Sequence, residues 1–239
     1  MKNKELLFII SLYELANNST KEYFGKLAIQ KKELLTYIGE IMLTYTITDL
    51  LMDMTKEQKD KEYNKISKII TKNGNANIKA QTKKIEEILK EVTKESYKHY
   101  GYNFNNKDVL EIVKKDYKDK HFSTRVWENE KEVASRLHKQ LEDFINGKIN
   151  VNDIKNVIGN TYNNSVYEVK RLVETEVSRC QSNAFNEYAK FTGVKKVKYN
   201  ATLEACEKCR PNNGEIFDFD KAPSLPKHPF CKCFYEVEE

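Results

Sequence analysis

Apolar residues recur at steps of three and four through most of this chain, with lysine- and glutamate-rich positions between them, so the dominant predicted element is the amphipathic helix. One stripe runs Leu34, Leu35, Ile38, Ile41, Met42, Tyr45 and a second runs Ile78, Ile85, Ile88, Leu89, Val92. A third, over residues 165–191, runs Val166, Val169, Val173, Val177, Cys180, Ala184, Tyr188 and predicts one long packed helix. No proline precedes Pro211, so nothing in the first 191 residues forbids uninterrupted helices. Expected breaks are Asn17-Asn18-Ser19-Thr20, Asn73-Gly74-Asn75, residues 101–106 and Asn146-Gly147, which would join helices of about ten to thirty residues.

Beyond Gly193 the pattern changes. Val194, Val197 and Tyr199 alternate with lysines as in a strand, and Gly214-Glu-Ile-Phe217 and Cys233-Phe-Tyr-Glu-Val237 are two further short strands. The expected fold is mainly α. A helical region over residues 1–120 and a second helical part over 121–192 precede a small zinc-stabilised, β-containing module over 193–239.

At 100° per residue, Glu176 falls inside the third apolar stripe, with Leu172, Arg179 and Asn183 along its edge. A buried carboxylate requires a partner, and Arg179, three residues on, can supply one while Asn183 adds donors. Glu176, Arg179 and Asn183 are therefore read as a structural polar group, not as catalytic residues.

Four of the five cysteines fall in the last thirty-four residues, as Cys206-Glu-Lys-Cys209 and His228-Pro-Phe-Cys231-Lys-Cys233. A Cys-x-x-Cys turn delivers two sulfurs to one tetrahedral ion, and the intervening Pro211, Asn212, Asn213, Gly214, Pro223 and Pro226 are turn residues that can bring the second half-site back. Five candidates compete for four places. Cys206, Cys209 and Cys231 are ligands in either arrangement, and His228 and Cys233 contend for the fourth. The expected cofactor is structural Zn²⁺, because some forty residues with few large apolar side chains need ligation to fold.

The formal net charge is +5, from 41 Lys+Arg against 36 Asp+Glu, too small an excess for a sustained nucleic-acid footprint. The lysine-rich stretches 56–72 and 107–120 carry carboxylates among their lysines and read as solvated faces. The odd cysteine count argues against a secreted disulfide framework. The apolar run from Leu6 to Ile10, after Lys2 and Lys4, is interrupted by Glu14 and falls short of the roughly 18 residues of a membrane span, so a cytoplasmic, non-membrane product is expected.

The helix motif Phe122-Ser-Thr-Arg125-Val-Trp127, a helix ending at Gly147, Arg171-Leu-Val-Glu174-Thr175-Glu176-x-x-Arg179-x-x-x-Asn183-Ala184, Gly193, and then the cysteine and histidine motifs with Gly214 and Phe217 follow one another over residues 121–235. This succession resembles the minor head proteins of tailed phages, the Mu F-like head morphogenesis family. One departure is Lys232, where the family often has arginine. The resemblance implies a minor capsid protein of the virion head, assembled in the host cytoplasm. It implies association with the phage portal protein and other head or scaffolding proteins, action in DNA packaging or delivery, and no catalytic activity. Glu239 follows the metal motif directly, so an appended effector domain is not expected. Rival readings are a metal-dependent nuclease and a zinc-ribbon binder of phage DNA through Lys195, Lys196, Lys198, Lys208 and Arg210.

Overall fold

A computed structural model of the chain describes residues 4–202 and 205–238; Lys2 and Glu239 lie outside them. Among the described residues five α-helices carry the fold: α1 Lys4–Thr44, α2 Lys56–His99, α3 Asn106–Lys114, α4 Phe122–Ile145 and α5 Ile154–Thr192. Between α1 and α2 lies a hairpin of β1 Thr46–Thr48 and β2 Leu51–Asp53, and after α5 come β3 Lys196–Asn200, β4 Ile216–Asp218 and β5 Phe234–Glu238. The mainly α architecture with a small C-terminal strand module is thus present. The three strands form an antiparallel sheet in the order β4-β3-β5.

Two of the expected breaks do not occur, which is why α1 and α2 exceed thirty residues; α5, at 39 residues, does so as well, starting at Ile154 ahead of the predicted stripe. Helix α1 continues through residues 17–20 because Leu12, Tyr13, Ala16, Thr20, Tyr23 and Leu27 keep one buried stripe across them. Asn17 and Asn18 simply face solvent. Helix α2 continues through residues 73–75 because Ile70 and Asn77 on either side are buried. Unfavourable helix propensities below about 1 kcal/mol per residue are outweighed by that burial. Residues 101–106 and Asn146-Gly147 do end helices. Asn105 begins α3 as a reciprocal capping box with Asp108, and Gly147 adopts a left-handed φ of 69°.

The chain forms two compact units, to both of which α1, α2 and α5 contribute residues. One comprises Met1–Thr20, Lys83–Phe122 and Lys170–Glu239. At its centre α5 is buried on every face from Leu172 through Ser182, more than the one-sided stripe in its sequence implies. The sheet lays Val197, Tyr199 and Tyr235 against Phe185 and Ala189 of α5, in the same cluster as Cys209, Cys231, Cys233 and Leu225.

The other unit comprises Lys21–Thr82 and Ser123–Val169. Its core encloses Glu130, 3% exposed, which accepts hydrogen bonds from Tyr23 Oη at 3.2 Å, Asn77 Nδ2 at 3.2 Å and Gln81 Nε2 at 3.4 Å. Burial pushes the Glu130 carboxyl above its ordinary value despite these three donors. A folded-state pKa raised above the unfolded one contributes stability that is present below the unfolded value, near 4.5, and is lost as pH rises through the folded value. Glu130→Gln is therefore expected to flatten the pH dependence of thermal stability just above pH 4.5. Melting curves between about pH 4 and 8 would show it; an unchanged profile would refute the assignment.

The hairpin is absent from the sequence reading, and it packs against the α4–α5 turn. Leu50 O accepts from Val151 N at 2.9 Å, and a Cβ on Gly147 would stand 2.7 Å from Met52 O. Two glycine substitutions are accordingly expected to have opposite signs. Gly147→Ala meets both a left-handed φ and a backbone oxygen and should destabilise by about 1–3 kcal/mol. Gly74→Ala, in mid-helix with nothing within 4 Å of the added Cβ, should stabilise by about 0.5–1 kcal/mol. Denaturant unfolding of the two variants checks both signs.

Candidate metal centre

Local turn chemistry assembles the cysteine site. After β3, Cys209 N and Arg210 N both donate to Cys206 O at 3.0 Å, closing a tight turn that turns both sulfurs the same way. Asn213 Oδ1 accepts from Ala201 N, and Gly214, at φ 83°, donates its N–H to Tyr199 O at 2.8 Å, which reverses the chain into β4. The following loop is tied down where Tyr235 Oη donates to Pro223 O at 2.6 Å. A second turn, closed by Cys231 N donating to His228 O at 3.1 Å, has Phe230 in the left-handed region at φ 62°. The prediction that turn-forming residues return the second half-site to the first holds in this geometry.

All five candidates converge. Cys206 Sγ lies 3.0 Å and Cys209 Sγ 3.2 Å from His228 Nε2, and Cys209 Sγ lies 3.9 Å from Cys231 Sγ. Donors around one tetrahedral zinc stand about 3.5 Å apart for N to S and about 3.8 Å for S to S, so these separations suit ligation. The donors form two close triads, Cys206-Cys209-His228 and Cys209-Cys231-Cys233, with Cys209 common to both. A metal ion can be held here. His228 Nδ1 is 2.7 Å from Pro229 O; a carbonyl can only accept, so Nδ1 carries the hydrogen and Nε2 presents its lone pair to the sulfurs.

The electrostatics of the cluster call for a cation. A hydrogen bond from Cys233 lowers the Cys231 thiol to about 5, and the same contact, together with burial, raises Cys233 above the usual thiol range. Burial raises Cys209, whereas at Cys206 the backbone N–H groups of Lys208 and Cys209 outweigh burial and lower the pKa. Thiols this close cannot all ionise unless a positive ion compensates them. Tyr199 stands beside Cys209 and Cys233, and burial raises its hydroxyl well above the usual phenol range, so it stays protonated there.

Two of the three residues predicted as a polar group, Glu176 and Arg179, also meet. Arg179 Nε donates to Glu176 Oε2 at 2.6 Å, with the two side chains 3% and 1% exposed. The remaining guanidinium donors go to Ile112 O at 2.8 Å and Val113 O at 3.3 Å, the carbonyls at the end of α3. That role for Arg179 was not foreseen. Asn183, expected to supplement the pair, is half-buried one turn further on.

Sequence reasoning also missed the fastening between α5 and the second ligand turn. Lys232 Nζ lies 3.2 Å from Glu174 Oε2, whose side chain is 3% exposed, and Phe230 N donates to Thr175 Oγ1 at 3.1 Å. Lys232 thus holds a cation against a buried carboxylate, as a single point charge. Some fifty-five residues separate the partners, so no local pattern marks them.

Of the five candidate DNA contacts, Lys195, Lys196, Lys208 and Arg210 are exposed and Lys198 is half-buried. Lys196 pairs across the sheet with Asp218 and Glu238, and Lys198 with Glu236, placing three carboxylates on the same face as these two lysines. This arrangement opposes a continuous phosphate track. Among the described residues no helix is long and apolar enough to cross a membrane. Comparison with protein-family models, functionally characterised proteins and solved structures returns no match.

Proposed function

We propose that this chain is a minor head protein of a tailed phage. It would act at the portal vertex in head morphogenesis and in DNA packaging or delivery, with a structural Zn²⁺ in its C-terminal module. The observation that supports this reading best is the union of the two motifs that carry the resemblance. The helix segment Glu174-Thr175-Glu176-x-x-Arg179 and the ligand turn His228-Pro-Phe-Cys231-Lys-Cys233 form one packed structure through Lys232–Glu174 and Phe230–Thr175. Thiolate and imidazole donors favour zinc over hard cations. The supply of thiolate donors favours a closed structural ion over an open site that activates water for a nuclease.

In this reading the protein works by binding, as a virion component assembled in the host cytoplasm. The test is copurification of the full chain with the cognate portal ring. Deleting residues 1–120 is not a usable comparison, because α1 and α2 supply residues to both compact units. Retention of the full chain by the ring supports the proposal. Absence of retention, together with salt-sensitive binding of double-stranded DNA, would favour the zinc-ribbon reading instead.

A further inference from the structure

We infer that Thr175 is a positioning residue of the metal centre, an inference that rests on the metal reading proposed above. From α5 it holds the backbone of the turn that carries His228 and Cys231, and so sets how tightly and in what geometry an ion is bound. That turn is strained where it meets the helix. Phe230, immediately before Cys231, adopts φ 62°, and it is neither glycine nor one of the short polar residues that tolerate the left-handed region. A residue stays in such a conformation only where its surroundings over-determine it. The turn's own bond, from Cys231 N to His228 O at 3.1 Å, leaves the Phe230 N–H to be held from outside.

Thr175 supplies that hold with a fixed acceptor. Its one hydroxyl hydrogen is committed to Arg171 O at 2.6 Å, four residues back, so toward Phe230 N, at 3.1 Å, the oxygen accepts. The side chain is 4% exposed on a stretch of α5 buried on every face, which fixes its place. The anchoring is also two-sided. Lys232 Nζ lies 3.2 Å from Glu174 Oε2, so the residues on either side of Cys231 are tied to consecutive positions of α5. Of these two ties, the hydroxyl grips backbone, whereas the lysine grips through a flexible stem. A turn released from Thr175 can relax at Phe230 and carry its ligands with it. Cys231 Sγ now lies 3.9 Å from Cys209 Sγ, and His228 Nε2 3.0 Å and 3.2 Å from Cys206 and Cys209 Sγ, separations that ligation depends on. Outer groups that orient ligands control metal affinity by about 10–100-fold.

The experiment loads the full chain, reduced and stripped of metal, with Zn²⁺ in competition with a chromophoric chelator and, separately, with Co²⁺, whose ligand-field absorption reports the arrangement of its ligands. Thr175→Val keeps the branched shape and removes the acceptor. It should weaken Zn²⁺ binding at least about tenfold and alter the spectrum of the Co²⁺-saturated protein. Thr175→Ser, which retains the oxygen, should bind within about threefold of the unsubstituted chain and restore its spectrum. Glu176→Ala, at the next position, should lower the melting temperature and leave the cobalt spectrum unchanged, because its partner is Arg179. Should Thr175→Val fail to fold, Thr175→Ala is read by the same two measurements. An unchanged cobalt spectrum in a folded variant lacking the hydroxyl overturns the positioning role and leaves the metal centre standing, whether or not affinity falls. A spectrum that Thr175→Ser does not restore, or that Glu176→Ala alters equally, overturns it too. Failure of the unsubstituted chain to bind either ion overturns the metal centre and the inference with it.

Discussion

Removing the metal is expected to unfold the C-terminal module and loosen the helix beneath it. The sulfurs of Cys209, Cys231 and Cys233 belong to the same packed cluster as Phe185 and Ala189 of α5 and Val197, Tyr199 and Tyr235 of the sheet. Without a cation, four thiols and an imidazole must share this space with their protons. Structural zinc contributes on the order of 10 kcal/mol to the folding of small modules. Chelation should therefore lower the melting temperature by well over 10 °C and erase the near-ultraviolet signal of Tyr199 and Tyr235. Much helical ellipticity should persist, because α4 and the first half of α5 lie in the other unit.

Cys209→Ser should reproduce the chelated state most fully, since Cys209 belongs to both donor triads. Comparing His228→Ala with Cys233→Ser identifies the fourth ligand: the substitution that releases the ion marks it. Retention should also fail in acid. The raised thiols Cys209 and Cys233 must surrender protons to bind a metal, and below about 5 Cys231 protonates as well. Native mass spectrometry of reduced protein that finds no metal, with a melting temperature indifferent to chelator, would reject the centre.

The second large effect is expected at Arg179. Arg179→Ala strands the Glu176 carboxylate at 1% exposure and removes the guanidinium from the Ile112 and Val113 carbonyls, the first of which keeps only Lys115 N, so a loss of about 3–5 kcal/mol is expected. Glu176→Ala should cost less, about 1–3 kcal/mol, because Arg179 keeps its carbonyl partners. The asymmetry separates a two-sided clamp from a simple ion pair. In a double-mutant cycle the two losses should fall short of additivity by about 1 kcal/mol or more. Additive losses would show that Glu176 and Arg179 are not coupled, and equal losses at the two positions would show that the carbonyl contacts do not matter.

Several features were legible because they are local. Helical periodicity in Leu34 to Tyr45 and in Ile78 to Val92, alternation around Val197 and Tyr199, and the Cys-x-x-Cys turn each express a spacing that backbone geometry imposes within a few residues. Glu176 and Arg179 were legible for the same reason: three residues in a helix bring side chains together whatever surrounds them. The sequence by itself therefore determined the helical class, the strand segments of the module, the five residues that form the cysteine–histidine cluster and the buried pair.

Tertiary structure decided what depends on distant neighbours. Helices α1 and α2 run through Asn17-Asn18 and Asn73-Gly74-Asn75 because burial of the flanking turns outweighs weak local preferences, and propensity alone contains no term for that burial. The hairpin at Thr46–Asp53 forms with Asp49-Leu50 at its turn, against the usual turn chemistry, because Val151 N bonds Leu50 O in that turn and Gly147 lies close to Met52 O of β2, from a segment about a hundred residues away. The contacts of Lys232 with Glu174 and of Phe230 with Thr175 likewise join parts of the chain that no periodicity relates. A sequence pattern reports which side chains a short element presents, whereas the choice among partners is made by packing the whole chain, where burial energies exceed local ones.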